Sequence, residues 1–407
     1  MTVEEVRKQF PALSGTVYGK PLVYLDNAAT IQRPAGVIEK WNDLTVRCNA
    51  NLHRAVHKIA AEATEEYEST RDAVRSFLGA ESREEIVFTS GATASINLVA
   101  FCFGEAFVKP GDEIIVAESE HHSNIVPWQM MCARKGAVIK VLPVDDDGYL
   151  RIDMLEDLIS DRTRLCCVAQ ISNVLGIINP VKEIVNICHS KGCYVLVDGA
   201  QGVVHAGADV AGMGCDFYAF SGHKVYAAPG TGVLYGRREL LGQMPPYMGG
   251  GEMIESVSFT GTTYAPLPGK YEAGTQNMAG TPTLKPALEM AEALRDKDLT
   301  DYGHKVGQYV LDALLSDDRI KLYGVPRGTF DKIPLFSFSV KGAHHEDLAL
   351  LLDKMGVAVR SGQMCAEPLM DRFGVTGMLR ASFAQYNTME EAEYFIKSLD
   401  RAISMLT

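Results

Sequence analysis

Between about residues 85 and 240 the chain alternates short, almost wholly apolar β-rich runs with helix-like stretches, and this alternation restricts the fold most. The runs fall at 85–89 (EIVFT), 113–117 (EIIVA), 165–171, 194–197 (YVLV), 216–220 and 232–235. Between them, 95–107, 125–135 and 181–190 carry apolar residues three and four apart. A strand with one wet face alternates apolar and polar residues, whereas near-continuous apolar strands are covered on both faces. Strands of this kind separated by helices predict a doubly wound α/β domain with a mostly parallel sheet.

After residue 240 the pattern changes. Residues 249–251 and the run 260–280 are rich in Gly, Thr and Pro and too long for a simple turn, and long loops in compact domains usually carry function. A long helical stretch begins near 284, followed by a strand at 335–340, a helix at 345–355, and strands at 357–360 and 379–383. Thr388 is placed to cap a last helix running from Glu390 to Leu406. A chain of 407 residues exceeds one simple core. We therefore expect a segment 1–20 packing with a small domain, a large domain over 21–290 and a small α/β domain over 291–407.

Composition narrows the class. The 39 Lys and Arg against 51 Asp and Glu give a net charge of −12, which argues against a general nucleic-acid surface. The nine cysteines are odd in number and form no CxxC pair, a pattern of a reducing compartment rather than a disulfide framework or zinc ribbon. No secretory signal is evident at the N-terminus, and no stretch approaches the roughly 18 apolar residues that span a bilayer. The expectation is a soluble, cytoplasmic-type protein with no nucleic-acid or membrane partner.

The polar clusters fall where parallel strands end, which is where open α/β sheets bind ligands. One strand ends in Val197-Asp198-Gly199-Ala200-Gln201 and another in Phe220-Ser221-Gly222-His223-Lys224. A lysine for a Schiff base and an aspartate to keep a pyridinium nitrogen protonated suit pyridoxal 5′-phosphate (PLP); the plainer alternative is a surface lysine and a capping aspartate. Ser90-Gly91-Ala92-Thr93 opens a helix and could cradle a phosphate, or serve only as a capping turn. In Glu120-His121-His122-Ser123-Asn124 an imidazole could stack on the pyridine ring and shuttle protons. A metal site there is improbable, because successive side chains of an extended segment diverge. Ser172-Asn173 offers an amide to substrate or ring. Cys365 lies in a Gly-bearing loop after a short strand, unlike Cys166 and Cys167 inside an apolar run.

Taken together, LDNAAT (25–30), NLHR (51–54), EHHSNIVPW (120–128), SNVLGIINP (172–180), VDGAQ (197–201), DFYAFSGHK (216–224) and EAGT (272–275) resemble the group II, SufS/CsdA-type cysteine desulfurases of the class V aminotransferase family. The resemblance runs in unbroken order over essentially the whole chain. It implies PLP fold type I, with a mostly parallel seven-stranded sheet flanked by helices and a smaller α/β C-terminal domain. It implies Lys224 as the Schiff-base lysine, Asp198 as the pyridinium partner, His121 stacked on the ring and Gln201 on the ring hydroxyl. Thr93, Ser221 and His223 match phosphate ligands, with Thr275 reaching the phosphate in a neighbouring subunit, hence a homodimer. Asn173, Arg380, Arg360 and His53 match substrate-binding groups, and a planar guanidinium suits a bidentate grip on a carboxylate. Cys365 matches the thiol that takes sulfur from L-cysteine and passes it to an acceptor protein of SufE or SufU type for iron–sulfur cluster assembly.

Departures qualify the match. Such enzymes usually carry one or two histidines before the reactive cysteine; here Gln363 and Met364 stand there, Glu367 replaces a usual Gln, and Ala92 a common Thr. A less activated Cys365 that depends on its acceptor is the expectation. L-selenocysteine is an alternative substrate. An aminotransferase or kynureninase-like enzyme would share Lys224 and Asp198 but not need Cys365, and a non-catalytic assembly subunit is the reading from another class.

Overall fold

The computed structural model describes residues 1–54, 56–328 and 331–407. Its centre is a seven-stranded sheet made of β1 (Ile86–Thr89), β2 (Glu113–Ala117), β3 (Val138–Leu142), β4 (Thr163–Ala169), β5 (Tyr194–Asp198), β6 (Phe217–Ser221) and β7 (Gly232–Gly236). The order across the sheet is β1-β7-β6-β5-β4-β2-β3. β7 runs antiparallel to both neighbours, and the remaining pairs are parallel.

Alternate residues of each strand enter different cores, which is why the runs are apolar throughout. Ile115, Cys166, Val168, Val195, Val197 and Phe220 pack on one side of the sheet. Ile114, Val116, Leu165, Cys167, Leu196 and Phe217 pack on the other. Cys166 and Cys167 are therefore both core, one on each face. Each face is covered by helices, among them α1 (Lys58–Leu78) on the first and α2 (Ala92–Phe107) with α3 (Val126–Lys135) on the second.

A four-stranded antiparallel sheet follows, in the order Ile320–Tyr323, Leu335–Val340, Met378–Ser382, Arg360–Gly362. It has a core of its own with the last helix, Met389–Leu406. Thr388 caps that helix as expected, in a reciprocal capping box with Glu391. Glu391 also pairs with Arg7 at 2.7 Å. Phe10 stacks between Tyr226 and Tyr386, so the N-terminal segment touches both sheets' surroundings.

Several local expectations need correcting. The expected strand 357–360 is two: Val357–Ala358 pairs in parallel with Val23–Tyr24, while Arg360–Gly362 joins the four-stranded sheet. The chain switches sheets at Val359, a change no pattern of side chains announces. The Gly/Thr-rich run after 250 is not all loop, because Ile254–Ser258 and Gly261–Tyr264 form a hairpin. β3 escaped notice because it is an edge strand with Val138 and Val141 exposed, and lacks the continuous apolar signature.

One buried ion pair ties α1 to the segment carrying the EAGT motif. Arg71 donates to Glu272 twice, at 2.7 and 3.0 Å, and lies over the Phe88 ring. Glu272 also accepts from the Phe88 N–H at 2.7 Å. Glu68 also holds Arg71, through two bonds at 3.1 Å, so losing Glu272 leaves that guanidinium half-matched and the Phe88 N–H without its acceptor. Glu272→Ala should cost about 2–4 kcal/mol in equilibrium urea denaturation; a loss under about 1 kcal/mol would show that the pair is not structural.

Candidate active site

Register brings the polar strand ends level. Ala169 pairs with Asp198, Asp198 with Ala219, and Gly232 with both Ser221 and Thr89. The carboxyl ends of β1, β2, β4, β5 and β6 therefore open on one side, as sheet geometry requires of a ligand site. Gly232 makes the close approach possible, since a Cβ there would run into the Gly91 backbone. The turn into α2 adopts φ 151° at Gly91, and the Ala92 N–H donates to Ser221 Oγ at 2.8 Å. Thr93 shares a hydrogen bond with Ser123 at 2.7 Å, and His223 one with Thr30 at 3.1 Å. The N–H groups of a helix's first turn lack intrahelical acceptors, so hydroxyls grouped at this N-terminus suit a phosphate.

The strand ends close a cavity of about 230 Å³. Eleven of the thirteen sequence-predicted residues line it: Lys224, Asp198, His121, Gln201 and Asn173 at the strand ends, Thr93, Ser221 and His223 at the phosphate-like end, and Arg360, Arg380 and Cys365 from the four-stranded sheet. Size alone does not select it, because a cavity of about 410 Å³ lies beside Gly307 and Lys332. That larger space has no thiol, and the carboxylate beside its Lys332, Asp331, is only partly buried, unlike Asp198.

His53 and Thr275 do not reach the cavity within this chain. His53 sits in a separate cleft, its Nε2 3.2 Å from Glu68, and Thr275 lines none of the described cavities near Lys224. Among the described residues, no group of three or more His, Cys, Asp or Glu side chains could hold a metal ion.

The electrostatics follow from burial. Lys224 is partly buried, and burial lowers its pKa; Asp198 opposes that, while Arg380 and Arg360 add to it. Burial raises the Asp198 carboxyl, with Lys224 opposing. One Asp198 oxygen accepts from the Ala200 N–H at 2.9 Å, which leaves the other for a cationic partner in the cavity. His121 is pushed down to about 3 by burial and by the nearby Lys224, so its ring is neutral. Its Nδ1 accepts from the Ser123 N–H at 3.1 Å. Gln201 donates its amide to the Ala28 carbonyl at 2.7 Å, which turns its oxygen free to accept from a hydroxyl.

Arg360 and Arg380 are direct cross-strand partners. Arg380 is held by Asp26 at 3.1 Å and by the Asn173 carbonyl at 2.8 Å, yet its buried Nε has no hydrogen-bond partner. Burial lowers Arg380 to about 10, and Arg360 adds to the effect. Two guanidiniums side by side with an unmatched N–H call for an anion. Asp26, which the sequence reading quoted only within LDNAAT, is what aims Arg380.

Cys365 is the thiol that lines the cavity. Among the described residues the other eight cysteines are buried, and Cys365 alone is partly open. Its Sγ lies 3.9 Å from Arg360 Nη2. Met364 and Cys365 both adopt left-handed backbone, φ 54° and 56°, a strained arrangement for non-glycine residues that surrounding contacts must enforce. Met364, standing where related enzymes usually carry a histidine, is buried in the core.

These residues fit PLP: an enclosed lysine, a carboxylate for the ring nitrogen, a flat neutral imidazole, and a hydroxyl-lined helix N-terminus for the phosphate.

The fold and site define a PLP-dependent enzyme of the α/β type. Residues 23–395 match the family model described as aminotransferase class-V, and the chain belongs to that family. It is 43% identical over 406 residues to a probable cysteine desulfurase from Vibrio cholerae, covering 100% of both chains. It is 44% identical to a cysteine desulfurase from Serratia proteamaculans, covering 99% of each. Among solved structures it is similar to the S-sulfonic acid form of the cysteine desulfurase CsdA from Escherichia coli, with TM-score 0.91 and 40% identity over 100% of both chains. It also superposes on an apo cysteine desulfurase from Thermococcus onnurineus, with TM-score 0.93 and 36% identity over 99% of this chain and 98% of the other.

His121 gives a pH prediction. Its folded pKa lies below the ordinary value of 6.5, at about 3, so it favours the fold above pH 6.5 and that contribution is lost as pH falls towards 3. Nitrogen NMR shifts of the His121 ring should stay at neutral-imidazole values from pH 5 to pH 8; a titration centred near 6.5 would refute the burial argument.

Proposed function

We propose that the chain is a cysteine desulfurase: it converts L-cysteine to L-alanine and leaves the sulfur as a persulfide on Cys365, for an acceptor protein to collect. One observation carries the reading. The only partly open cysteine among the described residues faces the same cavity as Lys224, Asp198 and two adjacent arginines.

Bound PLP supplies an electron-withdrawing ring that stabilises negative charge at the substrate Cα. Asp198 would pair with the ring nitrogen and keep it protonated, and His121 would lie against the ring as a neutral imidazole. Arg380, aimed by Asp26 and seconded by Arg360, grips the substrate carboxylate. Lys224 takes the α-proton, and burial, by lowering its pKa, shifts it in the direction a base needs. The Cys365 thiolate attacks the substrate sulfur: an S–S bond forms, the Cβ–S bond breaks, and the carbon fragment is protonated to alanine. Arg360 Nη2 lies 3.9 Å from the Cys365 sulfur, beside the path of that attack.

The finer partners belong to the same proposal. His53 and Thr275 lie outside the chain's own cavity, which fits a homodimer whose second copy completes the site. The cysteine loop is short, so an acceptor of SufE or SufU type must bring its own thiol to Cys365, with iron–sulfur assembly as the destination and the cytoplasm as the place. No described helix is long and apolar enough to cross a membrane. The division proposed at 1–20, 21–290 and 291–407 draws support from the separate core of the four-stranded sheet only for a small C-terminal domain; that core also takes in Val23 and Leu25, while Val6, Phe10 and Leu13 pack with the large sheet.

Two variants test the reading. Lys224→Ala should lose the absorbance band at about 420 nm that lysine-bound PLP gives. Cys365→Ala should keep that band and lose sulfur transfer to an acceptor thiol by about a hundredfold or more. A Cys365→Ala protein with undiminished transfer would end the assignment.

A further inference from the structure

The two adjacent histidines do different work. His121 lines the cavity, whereas His122 turns to the cysteine loop. The His122 backbone N–H donates to the Cys365 carbonyl at 2.8 Å, and its Nε2 accepts from the Glu367 N–H at 3.1 Å. One residue thus grips the loop on both sides of Ala366. An Nε2 that accepts leaves the proton of the neutral ring on Nδ1.

A capping argument explains the second bond. Glu367 opens the helix Glu367–Phe373, so its N–H has no intrahelical acceptor. The cap position is Ala366, which has no side-chain oxygen and makes no capping bond. His122, 245 residues earlier in the chain, supplies the missing acceptor. Its own position is fixed from below. Asn124 donates to Glu120 at 2.7 Å and accepts from the Trp128 indole at 2.9 Å, and the other Glu120 oxygen accepts from the Ala169 N–H at 2.7 Å. Trp128, Glu120 and Asn124 are all fully buried. A third tie comes from Asn173, whose amide donates to the Met364 carbonyl at 2.8 Å. The backbone at 364 and 365 is held in its left-handed shape by these bonds, with the Met364 side chain buried beneath.

We infer that His122 is a positioning residue for sulfur transfer: it caps the helix after Cys365 from across the cavity and holds the thiol within reach of the substrate sulfur. The inference rests on Cys365 being the sulfur-accepting thiol. The loop that brings no histidine of its own before Cys365 uses one from the end of β2 instead, and uses it for geometry.

The test uses the PLP-loaded enzyme. His122→Phe keeps a ring and removes the acceptor; single-turnover persulfide formation should fall about tenfold, since small misplacements of reacting atoms have large kinetic costs. The KM for L-cysteine should change less than about twofold, because Arg380 and Lys224 are untouched. Alkylation of Cys365 by iodoacetamide should accelerate about fivefold as the loop loosens. His122→Gln, with an amide oxygen near the Nε2 position, should recover the rate to within about threefold, and Glu367→Gln should match the unaltered enzyme, because the bond uses the Glu367 backbone. In the unaltered enzyme, hydrogen exchange at the Glu367 amide should be slowed at least about tenfold relative to an unstructured peptide. That last measurement stands even if His122→Phe fails to fold. Unslowed exchange at Glu367, or a folded His122→Phe with transfer and alkylation rates within twofold of the unaltered enzyme, overturns the inference. Exchange and alkylation report on the loop directly, so they separate failure here from failure of the desulfurase reading, which would appear as undiminished transfer by Cys365→Ala.

Discussion

Burying Lys224 commits the rest of the site. An ammonium out of water is costly unless compensated, and the nearest compensation is Asp198, itself buried at the end of β5. Arg380 and Arg360 add positive charge beside them, with Asp26 in contact with Arg380. The cavity therefore carries more positive than negative charge in a chain whose net charge is −12. The phosphate and carboxylate of the proposed cofactor and substrate would balance it. The same burial lowers Lys224 and His121 towards their neutral forms, which is the state a base and a stacking ring need.

That arrangement depends on sheet register. Asp198 and Ser221 face one opening because β4, β5 and β6 are paired so that their carboxyl ends coincide. A one-residue slip in β5 would turn Asp198 to the opposite face, since side chains alternate along a strand. The two-sided cores fix the register: each strand must place one set of residues on each side, and a slip exchanges the sets. The antiparallel β7 is tolerated beside α2 because Gly232 and Gly91 lack side chains where the backbones meet.

The four-stranded sheet contributes the other half of the chemistry. Arg360 and Arg380 are neighbours across two strands, and the chain leaves Arg360 directly into the loop of Cys365. Two guanidiniums and a thiol are thus carried by one sheet and its following loop, facing Lys224 and Asp198 on the other. Hydrogen bonds from His122 and Asn173 bridge the two, so that the large sheet holds the cysteine loop of the small one.

Much of this was legible in the residues. The apolar runs specified the parallel sheet because full burial leaves no polar alternation, and Asp198, Lys224 and His121 stood out because polar residues at the ends of such runs have no packing reason to be there. The motifs supplied Thr93, Gln201, Arg380 and Cys365, which local chemistry alone left weak. Other features were hidden. The edge strand β3 looks like a loop because half of it is wet, and the strand 357–360 divides between two sheets for reasons that lie in its partners. The thiol that matters was marked by motif, but its strained backbone, its contact with Arg360 and the buried Met364 beneath it are tertiary. So is the separation of His121 from His122. The sequence by itself determined which groups the protein would bury and present, since hydrophobic pattern and residue chemistry are local properties. Only the tertiary structure decided which of them meet, because Asp26 with Arg380, and His122 with Glu367, are joined by pairings across hundreds of residues that no local pattern encodes.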